Sequence, residues 1–302
     1  MSLADPAVIT CAISGALANR AQCPAIPYTP ADYAAEARRA VDEGAVQIHI
    51  HARRPDGSPS SAVEDFIAIR DAIVDEVGDA ALINFSTGTI GVSVADRVAY
   101  LEACSPDVAA LNMGSLNYAK YSRSRKEFVF QFVFQNPFDE IVGLLEAMKR
   151  LGIKPEHECF DLGHVGSLEP LLDMGLLEAP LHADFIMGVL GGVPATARNL
   201  AAMADNMPVA GAGGREQGRH HWGVIGIGRD QWTMLAAALS LGGSVRAGLE
   251  DNFYLPDGTM ARSNGELIAR ARRMAEDCGR RAATVDEARA LLGLRSQRAA
   301  PD

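Results

Sequence analysis

Short runs rich in Val, Ile, Leu and Ala alternate with amphipathic stretches along the whole chain, and this alternation limits the fold more than any other feature. The runs read as strands at residues 8–14, 45–51, 81–86, 108–112, 158–162, 183–190, 221–227 and 244–249. Helices read at 31–43, 62–77, 94–103, 138–151, 166–174, 195–206, 231–241 and 265–278. Pro30 and Pro137 stand where helix starts tolerate proline, and Gly44, Gly78, Gly152 and Gly175 where helix ends favour glycine. Such a series of β-then-α units, within 302 residues, predicts an α/β protein of the (β/α)8 TIM-barrel class. A doubly wound open sheet shares the alternation. It is disfavoured here, since no GxGxxG follows the first strand and no GxxxxGK[ST] occurs. No Pro-, Gly- or Ser-rich linker divides the chain, so residues 1–302 read as a single barrel domain with a C-terminal helix at 285–294 and a frayed tail at 296–302.

Composition removes several function classes. The formal net charge of −10 and the scattering of basic residues argue against a nucleic-acid surface. No apolar stretch approaches the ~20 residues that span a bilayer, and no signal-peptide layout opens the chain. The five cysteines, Cys11, Cys23, Cys104, Cys159 and Cys278, are odd in number and lack a CxxC, as expected of reduced thiols in a cytoplasmic protein.

The chemistry gathers at the predicted strand ends. His49 and His51 are two apart at the end of the second strand, so they share a face. Such a pair either grips one Zn²⁺ with a carboxylate completing the set or forms a buried, hydrogen-bonded histidine pair. The eighth strand carries Arg246 and ends in Glu250-Asp251-Asn252. An arginine is costly to bury there without an anion. Strands two and eight flank strand one in a closed barrel, which lets His49, His51 and Glu250 meet. Ser86-Thr87-Gly88, Asn112 with Ser115, Asp161 with His164, and Gly226-x-Gly228-Arg229 end further strands. Each has a plainer reading. Ser86 and Thr87 cap a helix, Ser115 holds a turn, Asp161 bonds His164, and Arg53 pairs with Asp56 on the surface. Gly226, Gly228 and Arg229 precede a helix near strands seven and eight, where barrels often hold phosphate; a tight turn is the alternative. The insertion between Leu116 and Phe138 holds Lys120, Arg123, Arg125 and Lys126. It forms a lid, an oligomer contact or, as preferred here, a solvated loop.

Taken together these segments resemble the β-keto acid cleavage enzyme family. The resemblance runs nearly end to end. It includes the opening at 9–16, His49 to Arg53, Ser86-Thr87-Gly88, the stretch from Leu111 to Asn117, 188–194, 226–229 and 246–252. It implies a (β/α)8 barrel that assembles as a homo-oligomer, commonly a tetramer. The implied reaction takes a β-keto acid and acetyl-CoA to acetoacetate and a new acyl-CoA. By the resemblance, His49, His51 and Glu250 match zinc ligands, Arg246 the arginine that binds the substrate carboxylate, and Asp251 the catalytic acid residue. Ser86 and Ser115 match positions that hydrogen-bond the keto acid, with Thr87, Gly88 and Asn112 beside them. Members that cleave 3-keto-5-aminohexanoate carry a Glu where this chain has Leu17, which favours a neutral tail on the substrate. Two other readings stay open. One is a zinc-dependent hydrolase or aldolase on the same barrel. The other is a structural metal-binding oligomer, which would need His164 as a fourth ligand.

Overall fold

A computed structural model of the chain describes residues 1–208 and 220–294. The predicted tail at 296–302 lies outside the described residues. The elements in order are β1 (Ile9–Ala12), α1 (Pro30–Asp42), β2 (Gln47–Ile50), α2 (Val63–Val77), β3 (Leu82–Ser86), α3 (Val94–Cys104) and β4 (Val108–Asn112). A hairpin follows, β5 (Leu116–Ser122) and β6 (Glu127–Phe134), then α4 (Phe138–Leu151), β7 (Lys154–Cys159), α5 (Leu162–Gly166), α6 (Leu168–Asp173) and β8 (His182–Met187). The chain continues through α7 (Ala197–Asp205), β9 (His221–Gly226), α8 (Gln231–Ser240), β10 (Ser244–Ala247), α9 (Asn264–Asp277) and α10 (Val285–Leu292).

Eight parallel strands close into a barrel in the order β1, β2, β3, β4, β7, β8, β9, β10. Closure is made by β1 on β10, with Thr10 opposite Arg246, and this removes the open-sheet alternative. The alternation of side chains along each strand sorts the residues. Ile9, Cys11, Ile48, Ile50, Ile83, Phe85, Phe185 and Val245 belong to the large core under the helices. Their sequence neighbours Thr10, Gln47, His49, Asn84, Glu156, Glu158, His182, Asp184 and Arg246 are equally buried but polar, and fall on the inward parity. Barrel interiors are ordinarily filled by branched apolar side chains. A polar interior must be held together by hydrogen bonds and charge pairing, because each unpaired group costs about 1–3 kcal/mol. The bottom of the barrel is apolar: Val8, Val46 and Leu82 pack against Ala288 and Leu292 of α10.

Several predicted boundaries move. His51 stands just past β2, and β7 begins at Lys154 rather than at residue 158. Pro155 and Glu156 hid that strand, since its inner face is polar. The helix predicted at 166–174 is two short helices, α5 and α6, broken at Ser167. The insertion is not a solvated loop. β5 and β6 pair antiparallel from Leu116 opposite Phe134 to Ser122 opposite Glu127.

Candidate metal centre and active site

The mouth of the barrel draws its groups from strand ends that the closure brings side by side. His49 is wholly buried at the end of β2, and its ring meets that of His51 edge-on with centroids 5.4 Å apart. The carbonyl of His51 is fixed by Tyr33, whose hydroxyl donates to it at 2.6 Å. Past β10 the chain turns sharply: Asp251 and Asn252 both donate backbone N–H groups to the Gly248 carbonyl at 3.1 Å. A Cβ at Gly248 would sit 2.1 Å from the Ala12 carbonyl oxygen, so only glycine lets this turn lie against β1. Asn264 pins the turn from outside, accepting the Leu249 N–H at 2.9 Å and donating to the Ile13 carbonyl at 3.2 Å.

That turn swings Glu250 over β1 to the histidines. Its Oε1 lies 3.7 Å from His49 Nε2 and 3.4 Å from His51 Nε2. The donor atoms of His49, His51 and Glu250 all lie within 4.8 Å of one another. His49 Nδ1 and Nε2 and Glu250 Oε2 are buried without a hydrogen-bond partner. Burial, then the nearby Arg246, holds the His49 imidazole well below its usual value, so it is neutral as a metal ligand must be. Burial alone would raise Glu250, but Arg246 and the two histidines outweigh it and keep the carboxyl ionised. The buried neutral His49 imidazole, a second imidazole and one carboxylate, gathered this closely, suit a divalent cation.

Arg246 stands beneath this group and is wrapped in carboxylates. Its Nε donates to Asp251 Oδ2 at 3.0 Å and its Nη2 to Asp251 Oδ1 at 2.8 Å. Nη2 also reaches Glu250 Oε1 at 2.8 Å, and Nη1 reaches Glu158 Oε1 at 3.0 Å. Four of the five guanidinium N–H groups are thereby engaged. The planar fork expected to take a substrate carboxylate is occupied by Asp251. Three carboxylates against one guanidinium leave excess negative charge, and burial pushes Glu158 up to about 8 and Asp251 up to about 6 despite Arg246. A divalent cation would relieve the same excess.

The remaining predicted residues fall at the same mouth with different roles. Ser86 is buried and its Oγ accepts the Gly88 N–H at 3.1 Å. Ser93, not Ser86 or Thr87, caps α3. Thr87 spends its hydroxyl on the Ala110 carbonyl at 2.6 Å. A Cβ at Gly88 would meet Asn112 Oδ1 at 2.7 Å, so any larger residue there would displace the Asn112 amide. Asn112 donates to Glu158 Oε2 at 2.6 Å. Ser115 Oγ accepts the Asn136 N–H at 2.7 Å. Asp161 caps α5 by accepting the backbone N–H of His164, whose ring Nδ1 takes the Phe160 N–H. His164 is not in the metal group, so the closed four-ligand site lacks its fourth member among the described residues. Arg53 does not pair with Asp56. Its buried guanidinium donates to the carbonyls of Ser14, Gly15, Gly57 and Ala18 and ties the loop after β1 to the one after β2. Gly15 in that loop packs on Glu250, where a Cβ would lie 2.7 Å from its Cγ, and Leu17 two residues on is 63% exposed. The Gly228 N–H is donated to the Asp251 carbonyl at 2.8 Å, and Arg229 is exposed beside it.

Two sets of residues escaped the sequence reading. Glu156, Glu158, His182 and Asp184 extend the polar network downward, with His182 Nε2 3.2 Å from Asp184 Oδ2 and Asn84 bonded to Glu156. Their signal was the i, i+2 spacing of Glu156-x-Glu158 and His182-x-Asp184, the same that exposed His49 and His51. The second is Tyr118 of β5, whose hydroxyl is held up at about 12 by burial and by the nearby Glu250, Asp251 and Glu158. A cavity of about 710 Å³ between α1 and α9, lined by Arg39, Glu43, Leu255 and Arg270, touches none of these groups.

Residues 6–294 match the sequence profile described as beta-keto acid cleavage enzyme. A 3-keto-5-aminohexanoate cleavage enzyme of Fusobacterium nucleatum is 35% identical over 288 residues, 95% of this chain and 98% of that protein. A 3-oxoadipate:acetyl-CoA acetyltransferase of Cupriavidus necator is 33% identical, covering 97% of each chain. Among solved structures, ObcA in binary complex with oxaloacetate superposes with a TM-score of 0.71 at 19% identity, over 90% of this chain and 68% of that one, which bears on the fold alone.

Proposed function

The chain belongs to the beta-keto acid cleavage enzyme family, and from that premise we propose that it converts a β-keto acid and acetyl-CoA to acetoacetate and a new acyl-CoA, using Zn²⁺. The observation that carries this reading is the convergence of His49, His51 and Glu250, with orphaned donor atoms, directly above the Arg246–Asp251 pair. The three ligands would hold the ion and leave coordination positions open. Zn²⁺ there would supply Lewis acidity to the substrate's keto oxygen. Asp251 takes the proton from the carbon between ketone and carboxylate. The resulting carbanion attacks the acetyl thioester carbon and expels coenzyme A thiolate. The thiolate then adds to the original ketone carbon, and the bond between that carbon and its neighbour breaks. Acyl-CoA leaves, and Asp251 returns the proton to the acetoacetate carbon. Arg246 acts through Asp251, which it holds by both oxygens, rather than as the fork for the substrate. Ser86 and Ser115 each accept a backbone N–H and keep an O–H to donate to the keto acid. Arg229, exposed after β9, is free to meet a coenzyme A phosphate.

Metal content tests the first step. The His49→Ala/His51→Ala variant, purified beside the parent, is expected to lose most of its bound zinc by elemental analysis. Unchanged zinc would remove the site.

The tail of the substrate is set by Leu17. A leucine cannot neutralise an ammonium, and burying one against it is unfavourable. Neutral-tailed β-keto acids are therefore expected to surpass 3-keto-5-aminohexanoate in kcat/KM, with acetoacetate as the readout. Leu17→Glu should move that ratio toward the amino substrate. A parent enzyme that prefers the amino substrate would show that another residue holds the ammonium.

Assembly and compartment complete the reading. Phe128, Val129 and Val133 of β6 are about half exposed, an apolar surface that favours a homo-oligomer, a tetramer by family resemblance. All five cysteines are free, which suits a reducing, cytoplasmic setting. No described helix is long and apolar enough to cross a membrane.

A further inference from the structure

The β5–β6 hairpin leans over the barrel mouth with one aromatic face inward. Tyr118 stacks on Phe130 and Phe132, and Tyr118 and Phe134 both rest on Phe160 at 6.4 Å between centroids. Ile186 and Ile225 complete that apolar seat. The base is fixed as well. Ala119 donates to the Leu190 carbonyl at 3.3 Å, and the Asn117 backbone lies so close to Gly191 that no Cβ fits between them. The far end is a tight turn closed by the Lys126 N–H on the Ser122 carbonyl at 2.8 Å.

That far end carries Lys120, Arg123, Arg125 and Lys126, all exposed. Glu127 engages Arg125 at 3.0 Å. Lys120, Arg123 and Lys126 have no acidic partner among the described residues. This concentration of positive charge stands in a chain of net charge −10, beside a mouth that presents Glu158, Glu250 and Asp251. With Arg125 held by Glu127, the three remaining cations at this end repel one another unless a further anion joins them. Lys120 is two residues from Tyr118 and so on its face of the strand. From Tyr118, which rests on Phe160 just past the end of β7, to Arg123 the chain runs about 16 Å if extended. An extended pantetheine arm covers a span of this order, and its far end bears a diphosphate and a phosphomonoester.

We infer that the hairpin tip binds the phosphates of the coenzyme A moiety, a proposal that rests on the acetyl-CoA reading above. The thioester lies under the aromatic face, and Lys120, Arg123 and Lys126 take the phosphate oxygens outside it. Arginine's fork suits phosphate oxygens, and lysine adds a point charge.

Direct binding of coenzyme A tests this without turnover. The probes are coenzyme A, 3′-dephospho-coenzyme A and pantetheine, titrated calorimetrically into the metal-loaded parent and a Lys120→Ala/Arg123→Ala/Lys126→Ala variant. Coenzyme A should bind the variant at least about ten-fold more weakly, as three exposed charge contacts allow, and its affinity should lose most of its dependence on salt. Pantetheine, which has no phosphate, should bind both proteins alike. Equal coenzyme A affinity in the two proteins overturns the proposal alone. An equal loss for pantetheine also overturns it, because the hairpin would then only shape the mouth. A parent that binds no coenzyme A overturns both the proposal and the activity on which it rests.

Discussion

Replacing Arg246 with leucine is expected to cost about 3–5 kcal/mol of folding stability, the range seen when one partner of a buried ion pair is removed. The guanidinium is 3% exposed and faces Glu158, Glu250 and Asp251 at 2.8–3.0 Å. Leucine fills part of the volume but leaves three carboxylates buried together. They must take up protons or draw in water, and both are unfavourable. Arg246→Lys should recover only part of the loss, since one ammonium cannot span Asp251 and Glu158 as the planar fork does. Denaturant unfolding of the metal-free proteins measures this directly. A change under about 1 kcal/mol for Arg246→Leu, below the range for breaking a buried pair, would show that the carboxylates are already neutral. Metal-free protein is the right state, because a bound divalent ion offsets the same excess charge.

The architecture was legible because strand and helix periods differ and because β-then-α units leave few ways to close a sheet. The convergence of His49, His51 and Glu250 was legible because it depends on strand alternation and on which strands adjoin after closure. The start of β7 is obscured in the sequence because Pro155, Glu156 and His157 do not look like a buried strand, yet a polar barrel interior accommodates them as one. The hairpin has a sequence signal of its own, since Phe128, Phe130, Phe132 and Phe134 recur at every second residue, but the nearby basic turn masks that period of two. Arg53 and Arg246 show the other limit. A local reading pairs Arg53 with Asp56 and frees Arg246 for substrate. The fold instead spends Arg53 on four carbonyls and most of Arg246 on three carboxylates drawn from β7 and the turn after β10. Such partners are fixed by closure, not by neighbours in the chain.

Asp251→Asn is expected to lower turnover by about 10²–10⁴-fold, the usual weight of a positioned general base. The substitution keeps shape and hydrogen-bonding capacity, so zinc content should be unchanged, since Asp251 is not in the group of His49, His51 and Glu250. It is not silent in structure. Asp251 accepts from Arg246 through both oxygens, whereas an amide offers one oxygen and turns its NH2 toward a guanidinium N–H. Some stability should therefore be lost, less than for Arg246→Leu because no carboxylate is stranded. Measuring zinc content, unfolding and kcat on the same preparation separates these effects. With zinc retained and the protein folded, a low kcat with little change in KM for the β-keto acid would place Asp251 in the proton transfer. Turnover near that of the parent would leave Asp251 as an anchor for Arg246 and move the base to another group at the mouth. Glu158 is the next candidate, since it shares the guanidinium and its carboxyl is buried.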